Sequence, residues 1–169
     1  MSSHGTAVSD ATWTAAVELI VRSRRPLLLG HVAPDGDALG TALAVGLALR
    51  DLPGDRRVAV SFGDDPFVVP ANLRHLPGQE LLVPPPDVAV PDLVMTFDAS
   101  SADRLGLLRE LAEAAPAMIV VDHHASYDGF GTLPVVDVSA PATAVIAEAL
   151  IAQLGVSLTA DIAACLYSG

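Results

Sequence analysis

Four short runs of this sequence, Leu27–His31, Val58–Phe62, Leu93–Phe97 and Met118–Val121, are apolar almost throughout. A strand with one wet face alternates polar and apolar residues; a strand covered on both faces has no reason to. Segments of helical character lie between the runs. Trp13, Val17 and Ile20 recur at helical spacing in Asp10–Arg22, and Ala38–Arg50 is small and apolar on nearly all sides, as a wholly buried helix would be. A further helix is predicted over Ala102–Ala114, a short fifth strand at Val135–Val136, and closing helices over Ala142–Leu154 and Thr159–Ser168. This alternation predicts an α/β fold, a parallel sheet with helices on both faces. Gly63–Pro91, rich in Pro and Asp, is the least regular stretch, with Pro84–Pro86 expected to be extended. The 169 residues, 51% of them hydrophobic, suffice for one domain with a sizeable core and exclude a mainly disordered chain.

Three polar clusters each lie just past the C-terminal end of a predicted strand, the edge where open α/β sheets bind ligands. The first runs from Gly30 to Gly40 and holds His31, Asp35 and Asp37; Pro34 and Gly36 suit a tight turn that aims them into one space. The second is Asp98 and the third Asp122-His123-His124. Capping a helix is the plainer account of Asp37 or Asp98 taken alone. It does not cover the whole set, because carboxylates side by side are costly without a cation. The adjacent His123 and His124 cannot both point the same way, so one can bind a metal while the other faces a ligand. Imidazole and carboxylate donors without thiolate suit Mn2+ or Mg2+, with iron or cobalt possible. So many carboxylates point to two cations, and two ions about 3.5–4 Å apart hydrolyse phosphoesters without a protein nucleophile.

Composition removes several alternatives. A single cysteine, Cys165, excludes an internal disulfide and a Cys-rich zinc or iron–sulfur site. The net charge is −11, and all nine basic residues are Arg, which argues against a basic track for duplex DNA. No apolar run approaches the ~20 residues of a membrane span, and the start Met1–Thr6 lacks a basic segment leading into an apolar run. A cytoplasmic protein is expected.

In these motifs the sequence resembles the DHH phosphoesterases, named for the run that stands here as Asp122-His123-His124. The likeness takes in His31-x-x-Pro34-Asp35-Gly36-Asp37-Ala38-Leu39-Gly40, then Asp98, and more loosely Asp137–Glu148. The resemblance implies a Rossmann-like sheet. It implies Mn2+-dependent hydrolysis of short oligoribonucleotides or dinucleotides and of 3′-phosphoadenosine-5′-phosphate, a nucleoside 3′,5′-bisphosphate. Inorganic pyrophosphatase or exopolyphosphatase activity, found in related proteins, is the alternative. The resemblance further implies that His31, Asp35 and Asp98 bind one Mn2+ and that Asp37, Asp98 and His123 bind a second, with Mg2+ or Co2+ as substitutes. Asp122 would orient His123, and His124 would contact the scissile phosphate, which a hydroxide bridging the ions would attack. A homodimer is also implied.

The family pattern has one more metal-binding Asp just after a segment matched here by Leu166-Tyr167-Ser168-Gly169, followed by a C-terminal substrate-binding domain. Residues 1–169 are therefore expected to be a catalytic domain incomplete at its C-terminus, with weak turnover or with metal and nucleotide binding alone. Asp137 and Asp161 do not match the missing position. Arg104 either reaches a substrate phosphate or forms a surface ion pair. Asp64-Asp65 reads as a solvated turn, His75 as structural, Ser100, Ser101 and Thr143 as caps, Cys165 as a core residue and His4 as disordered.

Overall fold

The computed structural model describes residues 8–169, so His4 lies outside the described residues. Strands β1 (Pro26–Leu29), β2 (Ala59–Ser61), β3 (Leu93–Phe97), β4 (Met118–Asp122) and β5 (Leu133–Val136) form one sheet, every pair parallel, in the order β2-β1-β3-β4-β5. Side chains alternate across it. Leu28, Met95, Phe97, Ile119 and Val121 enter one core, and Leu27, Leu29, Val94, Met118 and Val120 enter another. Both faces are dry, which is why the strands lack the polar alternation of a half-wet sheet.

The first face carries α1 (Asp10–Arg22), α2 (Gly36–Asp51) and α4 (Thr143–Gln153). A last helix, α5 (Ala160–Leu166), stacks on α2. Helix α2 therefore lies between the sheet and other helices, and every residue from Ala38 to Leu49 is buried. Each fully buried Leu there contributes roughly 1.5–3 kcal/mol relative to exposure. The second face is covered by Ala99, Leu105, Leu108 and Ala112, with Tyr127 and Phe130 at its margin. The fold is thus the expected α/β arrangement, a parallel sheet with helices on both faces.

Three expectations are corrected. The helix predicted over Ala102–Ala114 is a 3-10 stretch, Ala102–Leu108, running into a short α3 (Arg109–Glu113). Gly106 interrupts it at φ 54°, and a Cβ there would stand 2.5 Å from the Gly63 carbonyl, so close approach of the loop after β2 forces the bend. The three prolines do not continue as an extended run: Pro84 is extended, but Pro85–Asp87 closes a 3-10 turn. The fifth strand is longer than predicted, starting at Leu133.

At the N-terminal edge of the sheet, the Asp92 carboxylate accepts from the Ser23 hydroxyl at 2.5 Å and from the backbone N–H groups of Arg24 and Arg25. Partial burial works to raise its pKa, but these hydrogen bonds outweigh that and hold it below the usual carboxylate value.

The contact between α2 and α5 depends on small residues. A Cβ on Gly40 would stand 2.5 Å from the Cys165 carbonyl and fall on the Ser168 hydroxyl. Gly40→Ala should therefore destabilise the fold by about 1–3 kcal/mol through overpacking, read as a lower urea midpoint at unchanged slope.

Candidate metal centre

Strand order reverses between β1 and β3, because the chain leaves β1 for β2 on one side and returns to β3 on the other. Ligands of open parallel sheets bind at such switch points, beyond the carboxyl ends of the strands. His31 follows β1, Asp98 follows β3 directly, Asp122 ends β4, and Asp35 and Asp37 stand at the start of α2. The three clusters singled out in the sequence meet here.

Nε2 of His31 lies 3.6 Å from Asp98 Oδ2 and 3.7 Å from Asp35 Oδ1. Nε2 of His123 lies 3.4 Å from Asp98 Oδ1 and 3.8 Å from Asp37 Oδ2. Each ring is oriented by its other nitrogen: Nδ1–H of His31 donates to the Val32 carbonyl at 2.8 Å, and that of His123 to the Ala140 carbonyl at 3.1 Å. The tautomers assigned by these partners turn both Nε2 atoms toward Asp98. One carboxylate thus faces two imidazoles from opposite oxygens. This donor set fits divalent cations: His31, Asp35 and Asp98 bring ligand atoms within 4.8 Å of one another. Distance alone would also group Asp98 with His123 and His124. Nδ1 of His124, however, donates to Asp122 Oδ1 at 2.7 Å, which removes it as a ligand atom.

Local backbone chemistry aims the groups. Asp98 adopts φ 60°, a left-handed conformation that Asp tolerates better than most residues and that breaks the strand's alternation at this residue. Ala33 has φ 50°, and its N–H is held by Asp64 Oδ2 at 2.8 Å. Asp64 is therefore a brace for the first cluster rather than part of a solvated turn. Asp35, not Asp37, is the N-cap of α2, its side chain accepting from Ala38 N–H at 3.0 Å. Asp37 caps a different helix: its two oxygens accept from the N–H groups of Thr143 and Ala144, each at 2.9 Å. Helix α4 needs this because its own cap position is Ala142, which has no side-chain acceptor.

Thr143 does more than begin a helix. Its hydroxyl, fully buried, donates to Asp98 Oδ1 at 3.0 Å, so one residue ties Asp37 and Asp98 together. The signal for it was a helix beginning after Ala142 with no local cap. The orienting role expected of Asp122 is also corrected: Asp122 pairs with His124, and His123 takes the Ala140 carbonyl instead. Both rings face the same carboxylate oxygen, His123 Nε2 at 3.4 Å and His124 Nδ1 at 3.7 Å from Asp98 Oδ1, with ring centroids 4.7 Å apart, so the expectation that adjacent histidines cannot point the same way is corrected. Asp122 is fully buried, and its Oδ2 has no hydrogen-bond partner among the described residues. The Arg104 guanidinium lies 3.2 Å from His31 Nδ1, and no ion pair joins it to a carboxylate among the described residues. Because the Val32 carbonyl takes the Nδ1 proton, this Arg contact is packing rather than a hydrogen bond. Asp137 is occupied locally by Ser139, and Asp161 is exposed in the first turn of α5.

Charge follows the geometry. Burial works to lower the His31 pKa, but Asp98, the Val32 carbonyl and Asp35 together raise it. His124 is raised chiefly by its hydrogen bond to Asp122. Asp98 is lowered: burial opposes ionisation, and the bonds to His31 and Thr143 prevail. Asp37 is raised, with burial outweighing its two backbone donors.

A histidine whose pKa rises on folding gives stability that is full below its unfolded value, 6.5, and lost as pH climbs through the folded one. In EDTA the melting temperature should fall as pH is raised from about 6 to about 8.5. Saturating Mn2+ should shrink that fall, because a cation would take the place of the His31 proton; equal slopes in both conditions would count against the site. Thr143→Val keeps the backbone bond to Asp37 and loses the hydroxyl donor to Asp98. Its expected effect is a roughly 10-fold or greater rise in the Mn2+ dissociation constant, read by direct Mn2+ titration.

Similarity to known proteins agrees with the geometry. The chain is 37% identical over 141 residues to the bifunctional oligoribonuclease and PAP phosphatase NrnA of Thermus thermophilus, covering 82% of this chain and 40% of that protein. It is 30% identical over 142 residues to the uncharacterized protein MG371 of Mycoplasma genitalium, covering 84% and 42%. It therefore spans about two-fifths of the length of the curated relatives it matches. Among solved structures, an exopolyphosphatase-related protein from Bacteroides fragilis superposes with a TM-score of 0.83 at 22% identity, over 95% of this chain and 49% of that one. The exonuclease RecJ bound to manganese superposes with a TM-score of 0.54 at 21% identity, over 92% and 40%. These two likenesses concern the fold. The model for the DHH family, N-terminal domain, matches residues 26–169, and with the three histidines and the aspartates of its motifs gathered at one sheet edge, the chain belongs to the DHH family.

Proposed function

We propose that these residues are the catalytic half of a dinuclear-metal phosphoesterase that hydrolyses short oligoribonucleotides or dinucleotides and 3′-phosphoadenosine-5′-phosphate. The observation that carries this reading is the convergence of two Nε2 atoms on opposite oxygens of Asp98, at 3.6 and 3.4 Å. His31, Asp35 and Asp98 would hold one Mn2+, and Asp37, Asp98 and His123 the other. When bound, such ions supply Lewis acidity, lowering the pKa of water and stabilising charge on a phosphoryl oxygen. The substrate class is supported by the Thermus thermophilus relative, named an oligoribonuclease and PAP phosphatase.

The chain's own residues take the remaining roles. Asp122 holds the Nδ1 proton of His124, which leaves Nε2 to donate to an oxygen of the scissile phosphate. The raised His124 pKa favours the charged ring, which suits an anionic partner. The exposed Arg104, beside His31 and without a carboxylate partner among the described residues, offers a guanidinium to the same substrate. Thr143 and the Ala140 carbonyl are positioning groups. In the whole protein, residues beyond those described here would contribute to substrate choice and to a homodimer.

The test is hydrolysis of a short RNA and of 3′-phosphoadenosine-5′-phosphate, with and without Mn2+. Release of phosphate or mononucleotide is expected only with the metal, and more strongly in a version extended past Gly169. His124→Ala should lower kcat by about 100-fold at unchanged Mn2+ affinity. Preferential cleavage of pyrophosphate would overturn the substrate assignment, and a failure to bind Mn2+ would overturn the metal centre.

A further inference from the structure

The N-terminal edge of the sheet, opposite the metal centre, carries a second concentration of charge. A hollow of about 560 Å³ opens there, lined by Arg24, Arg25, Asp55, Arg57 and Asp92. Three of the nine basic residues of a chain of net charge −11 stand exposed around this hollow, and against two carboxylates they leave its lining with a net positive charge of one, which favours an anion. The two carboxylates offset this charge only in part. Both oxygens of Asp92 already accept from Ser23 and from the backbone of Arg24 and Arg25, and Asp55 forms no ion pair among the described residues. Arg24, Arg25 and Arg57 likewise have no carboxylate within ion-pair distance among the described residues. Arg56, by contrast, is occupied by the carbonyls of Val21, Leu52 and Pro53 and serves the fold.

The backbone that carries the three arginines is fixed. Arg57 N–H donates to the Arg24 carbonyl at 2.8 Å, and Asp92 N–H donates to the Arg25 carbonyl at 3.2 Å. The backbone under the cradle is therefore in place before any ligand arrives, while the exposed side chains close on it. Arg25 and Arg57 also form walls of an adjoining slot of about 240 Å³, which is otherwise mostly apolar, with Leu27, Val58, Ala59 and Val83 on its sides and Asp87 at its rim. Guanidinium planes stack on flat aromatic rings as well as binding phosphate. An aspartate beside an apolar slot can accept from an exocyclic amine.

We propose that this edge is a binding site for a nucleoside phosphate, with the phosphate among Arg24, Arg25 and Arg57 and the base in the slot lined by Val58, Ala59 and Val83. The assignment uses no residue of the metal centre and stands apart from the proposed hydrolysis. Its volume lies within the roughly 300–1,000 Å³ typical of small-ligand sites.

The test is a titration of the isotope-labelled chain in EDTA, which removes cation-assisted binding at the other edge. Adenosine 5′-monophosphate, inorganic phosphate and adenosine are added separately and backbone amide shifts are followed. Adenosine 5′-monophosphate should move the amides of Arg24, Arg25, Arg57 and Val58, and should bind at least several-fold more tightly than either part alone. Arg24→Gln with Arg57→Gln should weaken it about tenfold or more, while the melting temperature and Mn2+ affinity stay as in the unsubstituted chain. Arg25→Gln serves as the second variant if the double substitution disturbs folding. Shifts confined to residues 31–37, 98 and 122–124 would overturn the site. Inorganic phosphate binding as tightly as the nucleotide would overturn the ligand class, and no shift at millimolar nucleotide would overturn both.

Discussion

Four carboxylates at one sheet edge repel one another, and the rest of the site is arranged around that repulsion. Asp35 and Asp98 alone bring carboxylate oxygens within 4.8 Å of one another, close enough for like charges to repel. The protein offsets part of this with fixed donors. Asp35 takes an N–H of its own helix, Asp37 takes two from α4, Asp98 takes the Thr143 hydroxyl, and Asp122 takes the His124 ring. The histidines offset more by turning Nε2 toward Asp98. The compensation is incomplete: Asp37 is pushed toward its neutral form, and one buried oxygen of Asp122 goes without a partner among the described residues. Charge left partly uncompensated in this way is what a divalent cation would stabilise.

The sheet itself is indifferent to this expense. Strands dry on both faces, and an α2 buried from Ala38 to Leu49, give a frame whose stability comes from apolar area. Chemistry is confined to the loops beyond the strands. These are held by few but specific bonds: Val32 N–H to the Arg104 carbonyl, Ala33 N–H to Asp64, and Asp98 N–H to the Val121 carbonyl. Rigid loops on an inert frame keep ligand atoms in place without help from the ligand.

Much of this was legible in the sequence. The strands were readable because both faces of a parallel sheet demand apolar residues, so the pattern is dense and unambiguous. The clusters at 31–37, 98 and 122–124 were readable because they interrupt that pattern at equivalent points. What escaped notice depends on tertiary neighbours. The bend at Gly106 is set by the backbone near Gly63, about forty positions away in sequence. Chain geometry suggests that His123 and His124 diverge, but the turn after β4 brings both rings to Asp98, and which of them Asp122 holds is set by tertiary neighbours such as the Ala140 carbonyl. Thr143 looked like an ordinary helix start, and only the approach of Asp37 and Asp98 gives it two partners. The carboxylate that caps α4 stands more than a hundred residues earlier in the chain, beyond the reach of any local pattern.

That last pairing has a bearing on how genetic data would be read. Asp37 fastens the first turn of α4 to the start of α2 and also faces His123. Exchanging it for alanine would unseat a helix and empty a coordination position at once. An inactive variant at this residue therefore reports two lesions that its phenotype cannot separate. Asp35 caps only the turn of its own helix, and Asp35→Asn would keep an acceptor for the Ala38 N–H while weakening coordination.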